Sequence, residues 1–512
     1  MPKLPPTARH SFLLKVAAAI ALIALADGMV SGWLALPVPA TMALGWIVAL
    51  AVAAASIRRD RAARLALLTA LVFALVLIED PSLLAWAMFW VAIASAALLP
   101  RHRFDDAARW TVRLALHAIA GIAAPFRDAH RVSRIGRNGQ RQQVRAVAGL
   151  LTLPIAGGAA FLALFADANP IISAALDRIT LPSLFDILQH GVVWTVVLLG
   201  IWASLRPHAV VRLADTIGRD GWRGLPEMPV ATIALSLITF NAVFAVQNAL
   251  DLAFLWRGAA LPVGITLADY AHRGAYTLIA VALLAGLFVL VALRPDGAGA
   301  RRPALRRWLI LWIGQTLLLV ASSILRLIDY IAAYSMTVLR LSALAWMALV
   351  GIGLVLIGWR LLANRSAAWL VNANALAAML VLSAASVVDL GATAAAWNVR
   401  HARTAGDLDL CYLGSLGPSA VLSLIALERR VRGAALQDRV AAVRADTMAT
   451  LEDQQANPQD WSWRGARRLR AAQAMLESRP HIVRPAPNNR RCDGTPLPPP
   501  STPSPLTAGA EQ

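Results

Sequence analysis

The chain has 512 residues, 58% of them hydrophobic, with mean hydropathy +0.60 and 17 Trp. That composition excludes an ordinary soluble globular chain and fits a membrane protein. The net charge of +19 invites a nucleic-acid reading, but the placement of the 48 Lys and Arg residues, most of them at the amino terminus and in connectors between apolar runs, argues against one, so no nucleic-acid partner is expected.

A helix needs about 20 mostly apolar residues to cross a bilayer. In chain order eleven such spans are predicted: Phe12–Trp33, Pro37–Ile57, Ala62–Ile78, Leu83–Leu99, Val147–Phe165, Phe185–Leu205, Val230–Leu250, Ala275–Leu293, Trp308–Leu325, Leu341–Trp359 and Trp369–Val388. In lipid the backbone must satisfy its own hydrogen bonds, so the expected fold is all-α, a polytopic transmembrane helix bundle over residues 1–390. The first run follows Lys3, Arg9 and Lys15 as a signal peptide would. It continues to Trp33 without a small-residue cleavage site, and reads as a retained helix.

Alternate connectors carry very different charge. The amino terminus and every second loop hold 28 Lys and Arg, the intervening turns hold five, and 15 follow Asp389. The positive-inside rule then places the amino terminus in the cytoplasm and the region after span eleven outside it. Phe104–Ala124 is apolar enough to be a twelfth span, but Arg109 and Arg113 lie within it and a crossing there would invert every later loop. It is expected to lie at the cytoplasmic interface.

Beyond Val388, residues 391–479 read as a small helical extramembrane domain, with helix formers over Pro418–Leu451 and again over Trp461–Leu476. Residues 480–512 are Pro-rich and expected to be disordered. Cys411 and Cys492 are the only cysteines. A disulfide is permitted outside the cytoplasm, yet the position of Cys492 in the Pro-rich end argues against a stable pair.

Several segments are distinctive. They are Phe240 through Asp251, Tyr270-Ala271-His272-Arg273-Gly274-Ala275-Tyr276, Val320 through Leu327 with Tyr330, and Leu339-Arg340-Leu341 with Trp346. Together they resemble the domain-of-unknown-function 4173 (DUF4173) family of bacterial multi-pass membrane proteins, over roughly Asp27 to Asn374. Trp397-Asn398, Arg400, Asp407-Leu408-Asp409-Leu410 and Tyr412-Leu413 are similar to a segment that follows the last span in related families. The resemblance implies a bacterial integral membrane protein of the cytoplasmic membrane, and brings no activity, substrate or cofactor.

The residues themselves suggest a polar network. At 100° per residue Asn241, Asn248 and Asp251 share one face of span seven, with Gln247 beside them. Gln315, Ser322, Arg326 and Asp329 share a face of span nine, where Arg326 can meet Asp329 or Tyr330. His272, Arg273, Tyr276 and Arg340 join them toward the extracytoplasmic ends. Charge in a membrane is costly and normally faces the bundle interior, so Asp251 and Asp329 are expected to neutralise Arg273, Arg326 or Arg340. Such a network either locks helices together or takes an anionic group.

No catalytic, nucleotide or metal motif is present, so no cofactor and no enzyme activity are expected. The leading expectation is a non-enzymatic sensor or scaffold that meets a protein partner through its C-terminal region. A transporter or lipid-handling protein for an unidentified anionic substrate is the alternative. An intramembrane enzyme with His272 as base beside Asp251 lacks a nucleophile or metal.

Overall fold

The computed structural model describes residues 6–135, 183–207, 229–253, 284, 302–402, 408–478 and 490–497. Among them every regular element is a helix, apart from one isolated antiparallel bridge between Arg490 and Pro496. Seven of these helices are long and apolar enough to cross a membrane, and two more, Val38–Ala53 and Leu83–Leu98, are apolar but shorter. The count of eleven is therefore carried by the structure only as far as seven. The predicted span Val147–Phe165 and, apart from Leu284, the predicted span Ala275–Leu293 lie outside the described residues.

Two compact units divide the chain. The first takes residues 1–74, 89–105 and 109–221. It contains α1 (Pro6–Val30), α2 (Val38–Ala53), α3 (Ala55–Arg59), most of α4 (Arg61–Glu79) and α5 (Leu83–Leu98), α6 (Ala107–Ile135) and α7 (Leu184–Leu205). The second predicted span is broken at Ala54, whose φ of −119° and ψ of 84° leave the helical region. Arg58 donates to the carbonyls of Ala51 and Val52 there, supplying partners for the freed end of α2. α7 starts at a reciprocal cap, with Ser183 Oγ accepting from Asp186 N–H and the Asp186 carboxylate accepting from Ser183 N–H.

α6 spans the predicted interfacial segment, and its contacts show how it runs. Trp110 Nε1 donates to Ser95 Oγ near the C-terminal end of α5, and Asp128 accepts from Trp202 Nε1 and pairs with Arg206 at the C-terminal end of α7. Arg101, just after α5, donates to the carbonyl of Pro207, just after α7, so those two ends lie together. α6 therefore links the C-terminal ends of α5 and α7.

The second unit takes residues 75–88, 106–108 and 222–512. Its membrane part is α8 (Val230–Asp251), α9 (Pro303–Tyr334), α10 (Val338–Leu362) and α11 (Ala367–Val387). Ile233, Leu237, Leu309, Trp312, Ile313 and Leu354 form the core between α8, α9 and α10. Outward positions such as Val243, Val246, Leu339, Val355 and Leu376 are exposed aliphatics, while Asn241, Asn248, Asp251, Ser322 and Arg326 are buried. Polar inside and apolar outside is the arrangement a bilayer demands.

The C-terminal domain is α12 (Leu390–His401), α13 (Leu410–Ser415), a 3₁₀ turn (Gly417–Ala420), α14 (Val421–Arg430), α15 (Ala434–Ala456) and α16 (Trp463–Glu477). Side-chain oxygens of Asp389, Asp409 and Ser462 cap α12, α13 and α16. Leu410, Leu413, Leu424, Leu427, Val440 and Val443 build one core, and Val421, Ile425, Met448, Leu451 and Ala472 a second.

The expected disorder of the whole Pro-rich end does not hold at 490–497, and Cys492 is paired with Cys411. Arg490 donates to both carboxylate oxygens of Asp438 at 2.7 and 3.2 Å, and Arg439 meets Asp493 at 2.7 Å. Gly494, at φ +77°, lies so close to the Arg439 backbone that a β-carbon would come within 2.4 Å of its carbonyl oxygen. Composition marked this stretch as disordered because each of these partners lies more than 50 residues away. The disulfide joins residues 81 apart. Cys411→Ser is expected to lower the stability of the domain by about 2–4 kcal/mol through the larger freedom of the unfolded chain. Thermal unfolding with and without reductant checks it; coincident transitions would refute it.

Candidate functional site

The polar face predicted on α8 packs against α9, and the pairing is ordered along the seam. Asn241 Nδ2 donates to the carbonyls of Leu237 at 2.7 Å and Trp308 at 3.1 Å, which fixes its amide so that Oδ1 accepts from Gln315 Nε2 at 2.8 Å. Two turns on, Asn248 Nδ2 donates to the Gln315 carbonyl at 3.1 Å. One turn further, Asp251 accepts from Gln247 Nε2 at 3.0 Å and is ion-paired with Arg326. Asp251 is fully buried and Arg326 nearly so. The sequence offset between partners stays between 67 and 75, so α8 and α9 run parallel.

Not every predicted member belongs. Asp329 is exposed, and the carboxylate that meets Arg326 is Asp251 on the other helix. Arg340 pairs with neither aspartate. It donates to the carbonyls of Tyr334 and Ser335 and stacks over Tyr330 at 4.4 Å. Ser322 is buried one turn below Arg326. His272, Arg273 and Tyr276 lie outside the described residues.

Above the seam, the C-terminal domain grips the turn between α9 and α10. Asn398 binds both backbone groups of Met336, its Oδ1 accepting at 2.6 Å and its Nδ2 donating at 2.8 Å, and Tyr412 Oη accepts from Val338 N–H at 2.8 Å. Ser335 in that turn has φ +71°, a conformation a β-carbon disfavours, so the surrounding bonds hold a strained residue. Ile331, Met336 and Ala394 pack beneath with Leu327 and Trp397, which brings domain side chains to the residue next to Arg326.

A second contact lies beside it. Arg464 meets Glu79 and Asp80 at the end of α4, Arg467 meets Glu79, and Arg468 meets Asp389 just after α11. Burial and nearby Asp389 hold the Asp80 carboxyl above the ordinary range against the pull of Arg464. The ends of α4, α9 and α11 therefore share one side of this unit, and the domain covers them. Sequence reasoning missed both contacts, although Asn398 and Tyr412 stood in a segment singled out as distinctive.

A family model described as "Domain of unknown function (DUF4153)" matches residues 65–427, well over half of the chain. The chain belongs to the DUF4153 family. The DUF4173 family expected from the quoted segments is not the one that matches. No curated protein and no solved structure matches. The DUF4153 match covers the α8/α9 seam, the α9–α10 turn and both of its gripping residues. It stops at 427 within α14, so the arginine helix α16 and the disulfide-held strap lie beyond the DUF4153 region.

The first unit contributes two further polar clusters. Asp27 Oδ1, near the end of α1, receives His190 Nδ1 and Trp194 Nε1 from α7, each at 2.6 Å. Asp27 and His190 are 163 positions apart, a separation that local spacing does not reveal. Within the DUF4153 region, His117 on α6 is 1% exposed beside Trp90, and neither ring nitrogen has a hydrogen-bond partner among the described residues. Burial, with a smaller push from Arg101, lowers its pKa to about 4.

Between pH 6.5 and about 4 the unfolded chain therefore binds a proton that the folded chain refuses. Stability is expected to fall over that window on acidification, by about 3 kcal/mol in all. His117→Leu should flatten the dependence. Unfolding midpoints measured across that range check it, and an identical slope in the variant would rule out His117 as its source.

Proposed function

We propose that this chain is a non-enzymatic sensor or scaffold of the bacterial cytoplasmic membrane, in which the C-terminal domain reads an extracytoplasmic signal or partner and passes its state to the α8/α9 seam. The observation that carries the proposal is the grip of Asn398 and Tyr412 on the α9–α10 turn, linked through Ile331 and Leu327 to the turn of α9 that bears Arg326. A domain merely tethered to the bundle would not need bonds to the backbone of a strained residue's neighbours.

The side of the membrane follows from three supports. Loop charge favours a cytoplasmic amino terminus and an extracytoplasmic domain. The domain sits at the common ends of α4, α9 and α11, which that orientation places outside. The Cys411–Cys492 pair suits an oxidising compartment. The alternative, transport of an anionic substrate, needs cationic charge for the substrate to meet. Among the described residues Arg326 is neutralised by Asp251, and Arg340 is engaged with turn carbonyls and Tyr330, which favours the sensing reading.

Amide hydrogen exchange on the purified full chain tests the coupling. Asn398→Ala with Tyr412→Phe is expected to speed exchange in α9 around Arg326 while exchange in α11 stays unchanged. Faster exchange confined to the turn itself would mean that the domain is a passive cap, and the proposal would fall.

A further inference from the structure

The helix α16 has three faces, and two are accounted for. Gly465, Leu469, Ala472 and Leu476 point into the domain core. Arg464, Arg467 and Arg468 grip Glu79, Asp80 and Asp389 at the ends of membrane-crossing helices. At 100° per residue, Trp463, Arg467 and Arg470 fall within about 60° of one another, on a flank next to the gripping face and turned well away from the core.

That flank is exposed. Trp463 is 46% exposed, and Arg470 makes one hydrogen bond among the described residues, a 3.4 Å contact to its own helix at Ala466. Its depth is set by its neighbours, because Arg464 also donates to the Val387 carbonyl, the last residue of α11. Val387 and Val388 are half exposed, as is expected where a spanning helix leaves lipid. Indole rings collect at that level, apolar body inward and N–H toward water, and an arginine beside them meets lipid phosphate.

We infer that the Trp463–Arg470 flank of α16 is a membrane-docking surface, with Trp463 seated in the headgroup layer of the bilayer and Arg470 bound to lipid phosphate. The charge is complementary, and the surface is continuous with the grip on the span ends. The domain thus lies against the bilayer as well as against the helix ends. This inference rests on the membrane placement in the proposed function and is independent of signalling.

Full-length Trp463→Cys, labelled with a small fluorophore and reconstituted in phosphatidylcholine–phosphatidylglycerol vesicles, tests it. Cys411 and Cys492 are paired and do not compete for the label. Headgroup-nitroxide lipid is expected to quench the label several-fold more than a water-soluble nitroxide does. Quenching by the aqueous probe alone, in protein whose unfolding midpoint is unchanged, overturns the docking surface. Adding Arg470→Glu should weaken lipid quenching; quenching that stays the same would overturn the phosphate contact. Either failure leaves the exchange behaviour around Arg326 untouched, so it is distinguishable from failure of the sensing proposal.

Discussion

Asp251→Ala is expected to destabilise the folded chain by about 3–5 kcal/mol, because it leaves the Arg326 guanidinium buried without the carboxylate that meets it. The pair lies buried between two helices long and apolar enough to cross a membrane, where an unpaired charge is costly. Arg326→Ala should cost a comparable amount by the reverse route. The double variant Asp251→Leu with Arg326→Met removes both charges at similar volume and should recover most of the loss. Unfolding midpoints in detergent, arranged as a double-mutant cycle, separate the pair from simple truncation. Single variants that melt within about 1 kcal/mol of the parent would show that the pair is not the lock between α8 and α9.

The second large effect lies in the C-terminal domain. Glu428 on α14 and Arg444 on α15 are 3% and 6% exposed, with Arg444 Nε donating to Glu428 Oε2 at 2.8 Å. Their two helices contribute Leu424 and Val440 to one core. Arg444→Met removes the cation and strands a buried carboxylate, for an expected loss of about 3–5 kcal/mol in domain stability. Glu428→Gln added to it should restore much of this, since the amide carries no charge to desolvate. Limited proteolysis and the domain's own thermal transition read the effect. Equal melting of the single and double variants would contradict the assignment of the loss to the unpaired charge.

Both pairs illustrate what the sequence discloses. The polar face of α8 was legible because Asn241, Asn248 and Asp251 recur at helical spacing, and burial of charge in lipid forces them inward. The identity of the partner was not legible. Asp329, three residues from Arg326, is the neighbour that local spacing nominates, but it lies toward the exposed side of α9. Asp251 is 75 positions away and becomes the partner only through helix packing. The same holds for Asp27 with His190, for Arg464 with Glu79, and for Arg490 with Asp438. Helical periodicity fixes which way a side chain points, whereas tertiary contacts decide what it meets.

The strap at 490–497 has a consequence for how the domain withstands proteases. With Cys411 joined to Cys492, the chain from α13 to the strap is a closed covalent ring that contains α14, α15 and α16. One cut anywhere inside that ring opens it without releasing a fragment, and the arginines of α16 stay attached to the span ends. A cut between α12 and Cys411 is different in kind. It separates Asn398 from Tyr412, and everything beyond it then stays on the membrane by non-covalent contacts alone.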